Sequence, residues 1–217
     1  RYRSSAASDV YKRQFHGRTW LRTMVLSIEE LKALASSLMK EGLNTQQIAD
    51  ELSLSQDTIT WLLSGTSEGD RPSDVRIGWR TLGVRPQRIA AVGSIMADVA
   101  DEELGFDNID TVVGISINGI AFAYEVARIL ESDMTVFRTT DEGEGSGSLS
   151  NKYSQVAGKR VVIIDDVLSS GKTMSKTIQS IRAAGGEVSL AIVLVNKTTR
   201  NEIDDVPLRG LIRAVAV

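Results

Sequence analysis

One stretch, residues 161–173, limits the folds open to this chain more than any other. It begins with four consecutive apolar residues, Val161, Val162, Ile163 and Ile164. A run of this kind is typical of a strand buried on both faces of a parallel sheet. Two carboxylates follow, then a short polar segment, and residues 174–184 have helical spacing. The pattern therefore predicts a strand, a polar turn and a helix in direct succession.

The turn between this strand and helix is predicted to bind a phosphate. It contains five residues that are small, polar or charged: Ser169, Ser170, Gly171, Lys172 and Thr173. Backbone N–H groups at the N-terminus of a helix, together with nearby hydroxyl groups, form a natural anion site.

The acid pair before the turn points to a sugar phosphate. The nucleotide-binding P-loop also ends in Gly-Lys-Thr, but its spacing would place the first glycine at Asp166, where a carboxylate repels phosphate. Carboxylates can instead accept hydrogen bonds from ribose hydroxyl groups. We therefore predict a ribose 5-phosphate site in which Asp165 and Asp166 bind the sugar. An ordinary strand-to-helix turn with capping carboxylates is the alternative.

The composition excludes several kinds of chemistry. The 217 residues include no cysteine and one histidine, so disulfides, thiol nucleophiles and cysteine-bound zinc are ruled out. The expected cofactor is Mg²⁺, held by phosphate oxygens with Asp165 and Asp166 as the candidate protein ligands. No apolar run approaches the roughly 18 residues of a membrane span, and we expect a cytoplasmic protein with no membrane partner.

The N-terminal third of the chain divides into a tail, a helical domain and a linker. Residues 1–23 lack helical or strand periodicity and are predicted to be a disordered or non-native tail, with a basic nucleic-acid-binding arm as the alternative. Residues 24–66 are predicted to form a helix-turn-helix domain, because Ser27 begins a capping box, a second helix begins at Thr45 and Ser55 caps a third. Residues 67–74 are polar and are predicted to be the linker.

The third helix is the candidate DNA-recognition element. Its polar side chains Gln56, Thr58 and Thr60 are predicted to contact bases or phosphates in the major groove. The charge of the domain opposes this prediction, since residues 27–70 carry two lysines against eight acidic residues, a net charge of −6. A dimer, the arginines that follow the linker or the tail would have to supply positive surface. A small helical interaction module is the alternative.

Residues 75–217 alternate between strand-like and helix-like patterns. Strands are predicted at residues 75–79, 134–137 and 188–195, and residues 110–119 are predicted to be a buried strand that enters a glycine-containing turn. Helical patterns lie between most of these strands. The alternation predicts an α/β domain with a mainly parallel sheet covered by helices on both faces. Ligands of such sheets bind outside the carboxyl ends of the strands. The turns at residues 116–119 and 165–173 are therefore expected to form two walls of one site.

Four apolar residues, two acids and a Ser/Thr-Gly turn closely resemble the phosphoribosyl pyrophosphate signature of type I phosphoribosyltransferases. The resemblance covers roughly residues 75–217 and implies that fold. It also implies a pyrophosphate-binding loop at Ser116, Ile117, Asn118 and Gly119, and a mobile lid bounded by Arg138 and Lys152. Active orotate phosphoribosyltransferases carry several lysines and a histidine in the lid. The lid of this chain instead contains three acidic residues, Asp141, Glu142 and Glu144, against the two basic residues that bound it.

A helix-turn-helix followed by an orotate-phosphoribosyltransferase-like domain resembles the archaeal GfcR family of transcriptional regulators. That resemblance implies a homodimeric DNA-binding protein whose transferase-like domain senses phosphoribosyl pyrophosphate or a related ribose phosphate. An active, Mg²⁺-dependent purine or pyrimidine phosphoribosyltransferase with a regulatory N-terminal module is the alternative. Phosphoribosyl transfer needs cations around the pyrophosphate leaving group. The acidic lid therefore favours a regulator over an active transferase. No catalytic residue is assigned.

Overall fold

The computed structural model of the chain describes residues 26–64, 74–140 and 147–215. The predicted tail at residues 1–23, almost all of the predicted linker and the central lid residues 141–146 lie outside the described residues. In the part that is described, no helix is long and apolar enough to cross a membrane.

Three short helices form the first unit, which we call the three-helix unit: α1 (Ile28–Lys40), α2 (Thr45–Leu52) and α3 (Gln56–Ser64). The predicted capping box of α1 is confirmed, because the Glu30 N–H donates to Ser27 Oγ at 3.2 Å and the Ser27 N–H donates to the Glu30 carboxylate at 2.8 Å. Ser55 caps α3 as predicted, accepting from the Thr58 N–H at 3.2 Å.

A small apolar core holds these three helices together. Its buried members come from all three helices and from the turn before α3: Leu31, Ala35, Ile48, Ala49, Leu52, Leu54, Ile59 and Leu62. Ala49 of α2 and Leu54 in the turn before α3 are both buried, so the small Ala49 side chain and the Leu54 side chain lie at the contact between α2 and α3.

The remaining elements form an α/β domain. In chain order they are α4 (Arg80–Gly83), α5 (Pro86–Leu104), a 3₁₀ turn (Phe106–Asn108), β1 (Thr111–Ile115), α6 (Gly119–Ile129), β2 (Asp133–Thr139), β3 (Gly147–Leu149), β4 (Arg160–Leu168), α7 (Lys172–Ala183), β5 (Glu187–Asn196), β6 (Glu202–Ile203) and β7 (Val206–Arg213). The strand order is β3-β2-β1-β4-β5-β7-β6. Strands β1, β2, β4, β5 and β7 are parallel, and the short edge strands β3 and β6 pair antiparallel with their neighbours.

Strand β4 lies at the centre of this sheet and is buried on both faces. Val162 and Ile164 pack on one face into a cluster that includes α5 and α6. Val161 and Ile163 pack on the opposite face against Met174, Ile178 and Ile181 of α7. The predicted α/β fold, with helices on both faces of a mainly parallel sheet, is confirmed.

The strand predicted at residues 75–79 is wrong, because residues 74–79 have no regular structure. This segment does not pair with the sheet, and its apolar side chains pack instead on the helices that cover one face of the sheet. Ile77 and Trp79 pack against the cluster of α5 and α6, and the Trp79 ring meets Phe122 edge to face with centroids 5.5 Å apart. Strands β3 and β6 occupy the edges of the sheet.

Candidate functional site

The predicted phosphate turn lies between β4 and the N-terminus of α7. Gly171 precedes the helix with a φ of 82°, a left-handed conformation that favours glycine. A side chain there would also lie 3.0 Å from Ile203 and 3.3 Å from the Arg200 guanidinium. Helix α7 begins at Lys172, so the free N–H groups of its first turn point towards this loop.

Arg200 is a residue of this site that the sequence analysis missed. Its guanidinium donates to the Ser170 carbonyl at 3.4 Å, which places a positive charge beside the phosphate turn. The arginine is held in the loop after β5 by Asn196, a fully buried residue whose side-chain amide donates to the Arg200 carbonyl at 2.9 Å. No local pattern marks Arg200, because the contact joins segments thirty residues apart.

The acid pair lies inside β4 and not after it. Asp165 pairs in register with Val193 of β5, and the strand continues to Leu168. The Asp166 N–H donates to Asp165 Oδ1 at 2.9 Å. Burial raises the pKa of Asp165 well above its ordinary value, and the neighbouring charge of Asp166 raises it further. Burial also raises the pKa of Asp166, although hydrogen bonds at its carboxylate oppose the shift. A ligand that donates hydrogen bonds or brings a cation suits this pair.

The loop at residues 116–119 lies directly against the acid pair. A Cβ atom on Gly119 would lie 2.7 Å from the Ile164 carbonyl and 2.9 Å from Asp165 Oδ1, so only glycine permits this close approach. Asn118 is a hydrogen-bond partner of the Asp166 side chain. The Ser116–Ile117 peptide bond is cis, and the Ile117 side chain is 74% exposed. The structure therefore brings together the two turns expected to share a site, while their ligand-binding roles stay predictions.

The two basic residues of the predicted lid are not part of this cluster. Arg138 is exposed on β2, opposite Ser148 of β3, and Lys152 is exposed in the turn after β3. Neither lines the pocket at the acid pair. The acidic centre of the lid lies outside the described residues.

The three-helix unit forms the other wall of the pocket. Gln46, Asp50 and Gln56 face the two turns of the α/β domain across a cavity of about 100 Å³. The Gln46 amide donates to Asp50 Oδ1 at 2.9 Å. Burial raises the pKa of Asp50 to about 7, with the hydrogen bond from Gln46 opposing the shift and the negative charge of Asp166 adding to it. The sequence had given no reason to place Asp50 near the acid pair.

A buried ion pair fastens the three-helix unit to the α/β domain. Lys197 Nζ lies 3.1 Å from Asp74 Oδ1, and the two side chains are 6% and 7% exposed. The other Asp74 oxygen accepts from the Ser55 N–H at 2.6 Å and from Thr58 Oγ1 at 3.0 Å. Lys197 also donates to the Ser53 carbonyl at 3.3 Å. Burial alone would raise the pKa of Asp74, but these hydrogen bonds and the Lys197 charge outweigh burial and lower it.

The same contacts decide where the candidate DNA-binding residues lie. Thr58 is buried, with its hydroxyl on Asp74, and is not accessible to DNA in this arrangement. Gln56 is half-buried in the pocket and donates to Thr45 Oγ1 at 3.1 Å. Thr60 is exposed, and its hydroxyl donates to the Gln56 carbonyl at 2.9 Å. Of the three candidates, only Thr60 is fully exposed, while Gln56 is partly buried and Thr58 is buried.

The described residues contain no cluster of three or more His, Asp or Glu side chains that could hold a metal ion. The acid pair alone offers two carboxylates, which is fewer protein ligands than a metal cage needs. A cation at this site would have to share its remaining coordination with a ligand's oxygens.

Comparison with known proteins agrees with this geometry. Residues 78–216 match the phosphoribosyl transferase domain family. An orotate phosphoribosyltransferase from Aeropyrum pernix is similar in structure, with a TM-score of 0.51 and 26% identity over 68% of this chain and 83% of that one. An adenine phosphoribosyltransferase from Thermoanaerobacter pseudethanolicus has a TM-score of 0.54 with 18% identity over 64% of this chain and 88% of that one. These matches define a protein with a type I phosphoribosyltransferase fold, which confirms the fold inferred from residues 161–173.

Relatives that match nearly the whole chain are more specific. The transcriptional regulator GfcR of Thermoplasma acidophilum is 40% identical over 195 residues, covering 88% of this chain and 98% of its own length. The regulator of the same name from Archaeoglobus fulgidus is 37% identical, again over 88% of this chain and 98% of its own length. The chain belongs to the GfcR family of transcriptional regulators, as its order of elements had indicated.

Proposed function

We propose that this transcription regulator binds DNA through its three-helix unit and binds phosphoribosyl pyrophosphate, or a related ribose phosphate, as its effector. The observation that carries the effector proposal is the direct approach of two turns at the carboxyl edge of the sheet. Gly119 allows the 116–119 loop to reach Asp165, and the first residues of α7 line the same pocket as the acid pair. A 5-phosphate would bind at residues 169–173, with the ribose hydroxyls donating to Asp165 and Asp166.

Mg²⁺ fits this proposal as an ion that arrives with the ligand. The two carboxylates and the phosphate oxygens supply the hard oxygen ligands that Mg²⁺ prefers. When bound, the ion would neutralise charge between the acid pair and a pyrophosphate group. Arg200 beside the turn adds a fixed positive charge on the phosphate side.

The effector proposal is tested by calorimetric titration with phosphoribosyl pyrophosphate and with ribose 5-phosphate, each with Mg²⁺. We expect Asp165→Ala/Asp166→Ala to abolish binding while leaving the far-ultraviolet circular dichroism spectrum unchanged. Asp98→Ala/Asp101→Ala is the matched control, since both acids are exposed on α5 and do not line the pocket. Equal affinity in the wild type and the acid-pair variant would refute the site.

The DNA proposal is supported by the charge of the segment that follows the linker. Residues 75–97 contain four arginines and no acidic residue, and Arg80, Arg85 and Arg88 are exposed. This segment begins next to the three-helix unit and can supply the positive surface that the helices lack. A homodimer would present two such segments to the half-sites of a palindromic operator.

Binding to promoter-length DNA should be measured against salt with residues 1–23 removed. Arg85→Gln should reduce the slope of log K against log salt by about 1 for each copy that contacts a phosphate. Arg128→Gln, at an exposed position on α6, is the matched control and should leave the slope unchanged. Absence of binding at low salt in the truncated protein, both without ligand and with phosphoribosyl pyrophosphate and Mg²⁺, would refute DNA recognition by the three-helix unit.

Transferase activity is the second candidate, favoured by the contact between both predicted ligand loops. It is tested by following pyrophosphate release from phosphoribosyl pyrophosphate with Mg²⁺ and orotate, uracil or purine bases. The two exposed lid cations lie outside the pocket, and we expect no turnover above background. Steady release with any base would establish the enzyme and end the interpretation as a sensor alone.

A further inference from the structure

The three-helix unit occupies the mouth of the candidate ribose-phosphate site. The α2 helix and the turn before α3 face residues 165–174 across the pocket, and Asp74 and Lys197 hold the unit in this position. Arg76 adds a hydrogen bond of 3.1 Å to the Leu52 carbonyl at the end of α2. The contact is thus built from buried polar groups on both sides.

The space left in this arrangement is small. The pocket measures about 100 Å³, whereas pockets that enclose small-molecule ligands usually measure about 300–1,000 Å³. A ribose carrying a 5-phosphate and a pyrophosphate needs room on both sides of the acid pair. The α2 helix would therefore have to move away before such a ligand could enter.

The charge of the pocket also requires α2 to move away before a phosphorylated ligand enters. Asp50 adds a third carboxylate to the pocket that Asp165 and Asp166 already line. Burial raises the pKa of all three groups, and the negative charge that they keep opposes the entry of a phosphorylated ligand as long as α2 stays in place. Departure of the three-helix unit removes Asp50 and leaves the acid pair, the α7 N-terminus and Arg200.

The surface that would meet DNA is covered by the same contact. Thr58 is buried against Asp74, and Gln56 lines the pocket, so the N-terminal end of α3 faces the α/β domain. Recognition helices contact base edges with residues of this end. The docked three-helix unit is therefore closed to ligand and to DNA at once.

We propose that docking of the three-helix unit and occupation of the ribose-phosphate site exclude each other, so that the ligand releases the unit for DNA binding. This inference rests on the proposed function, because it takes a ribose phosphate as the ligand and DNA as the partner. Asp50 and the Asp74–Lys197 pair are its key residues. The former opposes the ligand, and the latter stabilises the docked arrangement.

The movement can be measured in the full chain by pulsed electron paramagnetic resonance. The protein has no cysteine, so Lys32→Cys/Lys176→Cys places two nitroxide labels on exposed positions of α1 and α7 without background. We expect one narrow distance distribution in the free protein. Phosphoribosyl pyrophosphate with Mg²⁺ should convert it to a longer and broader one.

A second measurement uses ligand affinity. Lys197→Met weakens docking without touching the acid pair or the turn, so phosphoribosyl pyrophosphate should bind more tightly. If about 90% of the wild type is docked, the apparent dissociation constant should fall about tenfold. Lys159→Met is the matched control, since Lys159 bonds to Asp133 and Ser154 away from the pocket, and its dissociation constant should equal that of the wild type.

The outcomes separate this inference from the function on which it rests. An unchanged label distance with bound ligand, or binding by Lys197→Met that is no tighter than binding by the wild type, would overturn mutual exclusion while leaving the effector site standing. A ligand that lowers DNA affinity would overturn the release step. No binding of phosphoribosyl pyrophosphate or ribose 5-phosphate by the wild type or by Lys197→Met would overturn the proposed effector and the inference together.

Discussion

The buried pair of Asp74 and Lys197 allows a prediction whose size follows from its surroundings. Removing one member of a buried pair leaves the other charge without a counter-ion, which costs about 3–5 kcal/mol. In Asp74→Asn, the Lys197 ammonium would keep only neutral acceptors, the Ser53 carbonyl and the side-chain amide oxygen at position 74, and would have no counter-ion. We therefore expect this variant to lose about 3–5 kcal/mol of the free energy of unfolding.

Substitution of the other member of the pair should lower the free energy of unfolding by less. In Lys197→Met, the Asp74 carboxylate keeps the Ser55 N–H, the Thr58 hydroxyl and the Val75 N–H, the last at 2.8 Å. A loss of about 1–3 kcal/mol is expected for a buried acceptor with one donor removed. The double variant leaves no unpaired charge and should lose clearly less than the sum of the single variants, with a coupling of about 2 kcal/mol.

The measurement is urea unfolding followed by circular dichroism and by tryptophan fluorescence. Trp61 reports on the three-helix unit and Trp79 on the α/β domain, so separate release of the unit would appear as two transitions. The control cycle uses Glu125→Gln and Arg128→Gln, an ion pair in which the arginine side chain is 61% exposed. That pair should contribute less than about 1 kcal/mol. Additive losses at Asp74 and Lys197, or a loss in Asp74→Asn no larger than in the control, would refute the structural role assigned to the pair.

Three further predictions follow from single features of the site. Gly119→Ala should destabilise the protein by about 1–3 kcal/mol and weaken ligand binding, because the alanine Cβ would lie 2.7 Å from the Ile164 carbonyl. Gly78→Ala is the control, since a Cβ there has no neighbour within 4 Å. Equal melting temperatures for the two variants would contradict the close approach at Gly119. The pKa of Asp74 lies below its ordinary value of 3.8, so its contribution to stability is present above about pH 4 and is lost as the pH falls further. Urea titrations should therefore show a smaller acid-induced loss in Asp74→Asn than in the wild type, and parallel pH profiles would count against the shift. Arg200→Met should raise the dissociation constant of ribose 5-phosphate about tenfold or more, since hydrogen bonds to charged groups contribute about 1.5–3 kcal/mol. Calorimetry measures this constant, with Arg182→Met as the control. Equal dissociation constants for the two variants would show that Arg200 has no role at the phosphate.

Local patterns were sufficient for the elements that carry the site. The run of four apolar residues predicted β4, and the polar turn and helical spacing predicted the start of α7 close to Lys172. Both depend on residues close together in the chain. The expectation that the two ligand turns meet also held, since it follows from the geometry of parallel strands.

Local patterns gave wrong predictions where a residue distant in the chain decided the secondary structure or the burial of a side chain. Residues 74–79 have the apolar composition of a strand, yet Trp79 packs on Phe122 while the sheet edges are taken by short hairpin strands. Thr58 has the position of an exposed recognition residue, yet it is buried because Asp74 accepts its hydroxyl. In each case the sequence pattern is compatible with two environments, and a distant residue selects one of them.

The sequence by itself determined the class of the protein: a capped three-helix unit, an α/β domain, and an acid pair before a phosphate turn. These features are encoded by hydrophobic period, caps and small residues within a few positions of one another. Only the tertiary structure decided that Asp50 faces Asp166 and that Lys197 pairs with Asp74 across 123 residues. Those contacts form only when the three-helix unit docks on the α/β domain. Burial and polar contacts at the interface between the two units then shift the pKa values of Asp50 and Asp74. The proposed coupling between the ribose-phosphate site and α3 therefore depends on the interface between the two units.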